Sequence, residues 1–179
     1  HAWCLTFELS WKQHRLVINC GLPAVNKETW RQVARATAAH STVTFNDKSS
    51  CQSLESGAFR GLLSGTPIVA GPRHVQVARE DTAEGAMLRA SHDGYDRDFG
   101  VIHTRAIRLS PDGRTLDGED SFAPADGHAF PARAADEFAI RFHLHPAIKA
   151  SRLSDGRGVI LLLADREVWT FSTLADAVE

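Results

Sequence analysis

Three groups of side chains in this chain have types and positions that chemistry could use. The first is His1, Asn19 and His40, each at the edge of an expected strand or helix. Imidazole nitrogens bind zinc, and an amide or carboxylate oxygen can complete the shell. Their separations form no metal motif, so from the residues alone the simpler reading is hydrogen-bonded histidines inside a β-fold. The second group is Arg141, His143 and His145. Alternation sets them on one side of a strand, opposite Phe138, Ile140, Phe142 and Leu144. That cluster suits an anionic partner or a polar cleft. A solvated strand face, ended by His145 before Pro146, explains it equally well. The third group is His92-Asp93-Gly94-Tyr95 with His103 and Arg105. Asp93-Gly94 signals a turn, and the flanking His92 and Tyr95 are side-chain types able to move protons. A single Tyr beside a turn is more often a packing residue. The chain has no GxSxG elbow, no P-loop, no strand-following GxGxxG and no HExxH.

The composition limits what these groups can belong to. At 179 residues the chain is about one domain, long enough to bury roughly 70% of its unfolded surface. Its formal net charge is −2, which leaves no basic surplus to neutralise phosphates, so nucleic acid is not an expected partner. No apolar run approaches the ~20 residues that span a bilayer, so membrane insertion is not expected. Three cysteines (Cys4, Cys20 and Cys51) lack CxxC spacing and read as idle or buried thiols. The compartment therefore cannot be read from cysteine usage. The chain enters a strand pattern at His1 with no leader, and it stops at Glu179 without a closing element. Both ends read as cuts in a longer protein.

The elements that must position these side chains have mostly a period of two. Leu5 to Leu9 alternates as a half-buried strand, and His14 to Asn19 reads as its partner with Leu16 and Ile18 inward. Lys27 to Ala39 is the single helical pattern. Asn26 could cap it, and Trp30, Val33, Ala34 and Thr37 would share one side. Strands are expected again at Ser41–Asn46, His74–Arg79 and Met87–Ser91, the last two around a turn at Asp81–Gly85. Val101–Leu109 and Leu116–Ser121 flank the turn signal Pro111-Asp112-Gly113-Arg114. Asp47–Gly71 and Ala123–Asp136 read as loops. Glu137–Leu144, Val159–Leu163 and Val168–Phe171 complete the set. The expected architecture is all-β, an antiparallel β-sandwich of about ten or more strands with one short helix.

Several segments together resemble one family in chain order. His1-Ala2-Trp3-Cys4-Leu5-Thr6-Phe7-Glu8-Leu9 is similar to a "HADTLSFEL" segment, and Arg35 to Val43 to an "R-x-T-x-x-H-N-T" segment. Ser91 to Tyr95, His103-x-Arg105, Gly118-Glu119-Asp120 and Phe142 to Pro146 follow in the same order. Each piece is short, and six in order over nearly the whole chain are specific. The resemblance is to the C-terminal domain of heparinase II/III-like polysaccharide lyases.

That resemblance implies an N-terminal helical toroid, absent from residues 1–179, joined to this single β-sandwich with the active cleft between them. It implies β-elimination on a uronic-acid glycan of heparan-sulfate or alginate type. The proton-transferring Tyr and one His would lie in the toroid, so the isolated chain should be inactive and its catalytic residues none. The substrate cleft would draw on His92, Tyr95, His103, Arg105, Arg141, His143 and His145. A zinc site would take His1, Asn19 and His40, and in this chain zinc is expected to be weak or absent. Two departures matter. Asn19-Cys20-Gly21 stands where the family has D-x-G, and the family histidine two residues before the one matching His1 lies outside residues 1–179. Trp3 replaces a small or acidic residue beside it. The expected partners are an acidic polysaccharide and the helical domain; a periplasmic or secreted setting is favoured by family habit, and a cytoplasmic one stays open. The alternative is a non-catalytic carbohydrate-binding or purely structural β-sandwich module.

Overall fold

The computed structural model describes residues 3–21, 28–53, 67–125, 127 and 137–174. The chain begins with β1 (Leu9–Trp11) and β2 (His14–Ile18), then α1 (Glu28–Arg35) and a 3-10 turn (Thr37–Ala39). Next come β3 (Val43–Phe45), β4 (Gln52–Ser53) and β5 (Ile68–Ala70). The long strands follow as β6 (Val75–Thr82), β7 (Gly85–Tyr95), the short α2 (Asp96–Phe99), β8 (Val101–Leu109) and β9 (Leu116–Pro124). The chain closes with β10 (Phe138–Ile140), β11 (His143–Leu144), β12 (Lys149–Arg152), β13 (Gly158–Leu162) and β14 (Val168–Ser172).

The fold is all-β and antiparallel, as expected. Its largest sheet has the order β6-β7-β8-β9, a meander built from tight turns. The β6–β7 turn leaves two residues between strands, and Gly85 takes φ +123° there. A Cβ at Gly85 would meet the Leu109 carbonyl oxygen at 2.2 Å, so no other residue fits. The smaller sheets are β1-β2-β11, β3 with β10, β4 with β5, and β12-β13-β14. Phe122 of β9 packs on Phe45 of β3 at 5.3 Å and on Phe138 of β10 at 5.4 Å. The core is Phe45, Tyr95 and Val101, with Phe99 and Phe122 against it. The Tyr95 hydroxyl donates to the Val43 carbonyl at 2.7 Å, tying the two layers together. No helix among the described residues is long and apolar enough to cross a membrane.

Several sequence expectations need correction. The first strand begins at Leu9 rather than Leu5, because Leu5 turns into the left-handed region at φ 55°. The helix ends at Arg35, since Ala36 is extended, and a separate 3-10 turn follows. Trp30 and Val33 therefore do not share the buried side of Ala34 and Thr37; they are 56% and 55% exposed. Asn26 and Lys27 lie outside the described residues. α2 makes a second short helix. The expected loop over 47–71 contains β4 and β5, and β12 (Lys-Ala-Ser-Arg) carries no alternation to announce it. The strand over 137–144 breaks at Arg141-Phe142, where pairing passes from β3 to β2. Its apolar row is correspondingly open, with Phe138 55% exposed.

Candidate functional site

Strand register first assembles a closed network. The β7–β8 pairing sets His92 opposite His103, and the β8–β9 pairing sets Arg105 opposite Asp120. All four side chains are buried. The Gly94 N–H donates to His92 Nδ1 at 2.9 Å. That leaves His92 Nε2 as the donor to His103 Nδ1 at 3.2 Å, and His103 Nε2 donates to Asp120 Oδ1 at 2.7 Å. Each ring thus passes one N–H toward the carboxylate. Arg105 grips the same carboxylate through Nε and Nη2, both at 2.8 Å. Such two-pronged pairs are the strongest of their kind. Its Nη1 donates to the carbonyls of Leu5 and Ser41, both at 2.9 Å.

Burial dominates the electrostatics here. Together with the charges of His103 and Arg105, and against the opposing Asp93, it pushes the His92 imidazole down to about 4. Burial alone would raise Asp120. Hydrogen bonds from His103 and Arg105 outweigh it and hold the carboxyl below its usual range. Burial also pushes the Tyr95 phenol up. Gly94 must be glycine, because a Cβ would meet both His92 Nδ1 and the Ser50 carbonyl at 2.8 Å.

A second, more open strip forms around Ser41. Its hydroxyl donates to the Ile18 carbonyl at 2.7 Å and accepts the His143 N–H at 2.9 Å. Its own N–H donates to Asn19 Oδ1 at 2.9 Å. The Cys20 N–H donates to the Ala39 carbonyl at 3.0 Å. The end of β2, the turn before Ser41 and β11 are thereby drawn into one strip carrying Asn19, Cys20, His40 and His143. His143 Nε2 donates to the Ala38 carbonyl at 2.9 Å, which leaves Nδ1 facing the Cys20 thiol at 3.6 Å. His40 is buried. Burial lowers its proton affinity, a backbone hydrogen bond at Ala34 opposes that, and His143 adds to the lowering.

Trp3 borders this strip. Its ring meets His40 edge-on, with centroids 5.4 Å apart at 64°. The Thr6 N–H donates to the Trp3 carbonyl at 3.3 Å across a turn whose Leu5 is left-handed. For a leucine that conformation costs about 1–2 kcal/mol. Arg105 on the Leu5 carbonyl and Thr42 Oγ1 on the Cys4 carbonyl at 2.8 Å hold the turn in place.

The seven cleft candidates therefore divide. His92, Tyr95, His103 and Arg105 come together, but inside the fold, where a polysaccharide cannot touch them. Arg141, His143 and His145 are half-buried and go to separate partners. Arg141 reaches the Thr44 hydroxyl and lies 3.6 Å from Asp47, and His145 Nδ1 accepts the Ala147 N–H at 3.2 Å. Of the metal trio, Asn19 and His40 sit on neighbouring segments and His1 lies outside the described residues. Among the described residues, no three His, Cys, Asp or Glu side chains are grouped to hold a metal ion. Asp120, Ser41 and Cys20 are not among the site residues expected from the sequence. Asp120 had a readable signal: equal steps back from the Pro111–Arg114 hairpin put it opposite Arg105. Ser41 had none, because its partners come from three separate segments.

The family model described as "Heparinase II/III-like, C-terminal" matches residues 1–179. A curated relative, the FtsZ-localized protein C of Caulobacter vibrioides, is 34% identical over 161 residues, which is 87% of this chain and 27% of that protein. The chain thus spans about a quarter of that relative's length. No solved structure matches.

Proposed function

The chain belongs to the heparinase II/III-like C-terminal family, and from that membership we propose that it is the β-domain of a polysaccharide lyase acting on uronic-acid glycans by β-elimination. The observation that carries the reading is the strip around Ser41, which offers the half-buried His143 and Asn19 beside the buried His40. In this role His143, Arg141 and His145 border the glycan and His40 stands behind them. The buried His92, His103, Arg105 and Tyr95 act at one remove by fixing the backbone that carries the strip. The groups that take the C5 proton and protonate the leaving oxygen belong to a helical partner domain, so the whole protein cleaves and residues 1–179 alone do not. Loss of such proton-transfer groups removes roughly 10²–10⁴-fold in rate each. The assay is absorbance of the unsaturated uronic product from heparan sulfate and alginate. Turnover by residues 1–179 alone would overturn the division of labour, and no turnover by the whole protein would overturn the lyase reading.

A second reading has its own support. Asn19 stands where the family carries Asp, and the relative's name places that protein with FtsZ rather than with a glycan. In this reading the domain is a non-catalytic module that binds glycan, or only supports its neighbour, within a protein localized with FtsZ. Glycan binding by the whole protein without product formation would favour it.

A further inference from the structure

We propose that Trp3 is a platform for one pyranose ring, and so a residue that sets glycan affinity in this chain. The inference rests on the glycan reading above and goes beyond it in naming a residue that the family pattern does not supply. Trp3 is 52% exposed, and single exposed apolar side chains are ordinary. Trp30, on α1, is as exposed. Trp3 differs in how it is held. Its turn runs through a left-handed Leu5, a conformation that a leucine keeps only when its surroundings impose it. Two side chains from other elements, Arg105 and Thr42, impose it by gripping consecutive carbonyls, and the ring edge rests on the buried His40. A large, rigid aromatic surface is therefore fixed at the border of the strip with little freedom left to lose on binding. Its chemistry suits the C–H face of a sugar, which sheds water against an indole while its hydroxyls and carboxylate stay turned toward polar groups.

The experiment titrates the whole protein calorimetrically with heparan sulfate and alginate oligosaccharides of defined length. Trp3→Ala, Trp3→Phe and Trp30→Ala are compared with the native protein, and tryptophan emission is followed in parallel. Trp3→Ala should weaken binding about tenfold or more, the loss typical of a central aromatic contact. Trp3→Phe should keep most of the affinity while losing the sugar-induced change in emission, and Trp30→Ala should change neither. Native-like affinity in Trp3→Ala would overturn the platform and leave the glycan reading standing. Failure of the native protein to bind any of the oligosaccharides would overturn both. Should Trp3→Ala melt early, the emission change decides: its persistence in Trp3→Phe would refute the assignment.

Discussion

Two groups of histidines with polar partners live in opposite surroundings. His92 and His103 lie inside the four-stranded sheet, where every ring nitrogen is committed and the chain of donors ends on a carboxylate gripped by Arg105. His143 lies on the short β11, half-open, with one nitrogen on a backbone carbonyl and the other on an exposed thiol. The same residue type is structural in the first place and available in the second. Long paired strands can commit every polar atom because register repeats. A two-residue strand does so only through loop partners, and its side chains stay half-exposed. Arg105 joins the two regions, with one end on Asp120 and the other on the carbonyl of Ser41.

The comparison breaks most sharply at Asp120. Asp120→Ala strands a buried guanidinium and a buried imidazole, and removing one partner of such a pair costs about 3–5 kcal/mol. Urea unfolding followed by circular dichroism should show that loss; a change under about 1 kcal/mol would mean that the network contributes little.

Acid probes the same region at intermediate strength. His92 titrates near 6.5 when unfolded and near 4 when folded, so below pH 6.5 the unfolded chain takes up a proton that the folded chain refuses. Stability from this group is whole above about pH 6.5, declines as pH falls, and is gone below about 4. The total is about 3 kcal/mol at 1.36 kcal/mol per pKa step. The measurement is unfolding free energy at several pH values, with His92→Asn flattening the decline between pH 6.5 and 4. An unchanged slope in that variant would assign the acid sensitivity elsewhere.

The smallest effect on stability belongs to the open strip. Asn19→Asp keeps the oxygen that accepts from Ser41 and sets a charge near Glu8, so unfolding should shift by no more than about 0.5 kcal/mol. Zinc affinity of the metal-free protein should respond instead, rising about tenfold or more, since a carboxylate offsets the desolvation of a dication and an amide does not. Calorimetric titration of both proteins checks this. Tight zinc binding by the native protein, with no gain in the variant, would remove the argument about Asn19.

Much of the four-stranded sheet was legible because its signals are local. Val101–Leu109 was read to the residue, and the Pro111–Arg114 turn fixed everything opposite it. The burial of His92, His103 and Arg105 was not legible, since polar residues alternating with small ones look the same on a wet face as inside a sheet. Only Asp120, one hairpin away, distinguishes the two. The split at Arg141-Phe142 was hidden for a different reason. The alternation over 137–144 is continuous, and the break arises because two different strands claim its two halves. The Trp3 turn was hidden because a left-handed leucine follows from distant side chains and not from its own propensity.

The terminal strand of the large sheet has a consequence for handling the protein. All eight residues of β6 face solvent, and its outer edge has no strand partner among the described residues. Its far end is guarded by the Arg79–Asp81 ion pair and Glu80, whereas Val75-Gln76-Val77-Ala78 carries no charge at all. Bare backbone donors and acceptors beside valines are a template for another chain to add itself as a strand. Concentrated preparations of residues 1–179 should therefore self-associate through Val75–Ala78, and a lysine introduced at Val77 would keep them apart by charge.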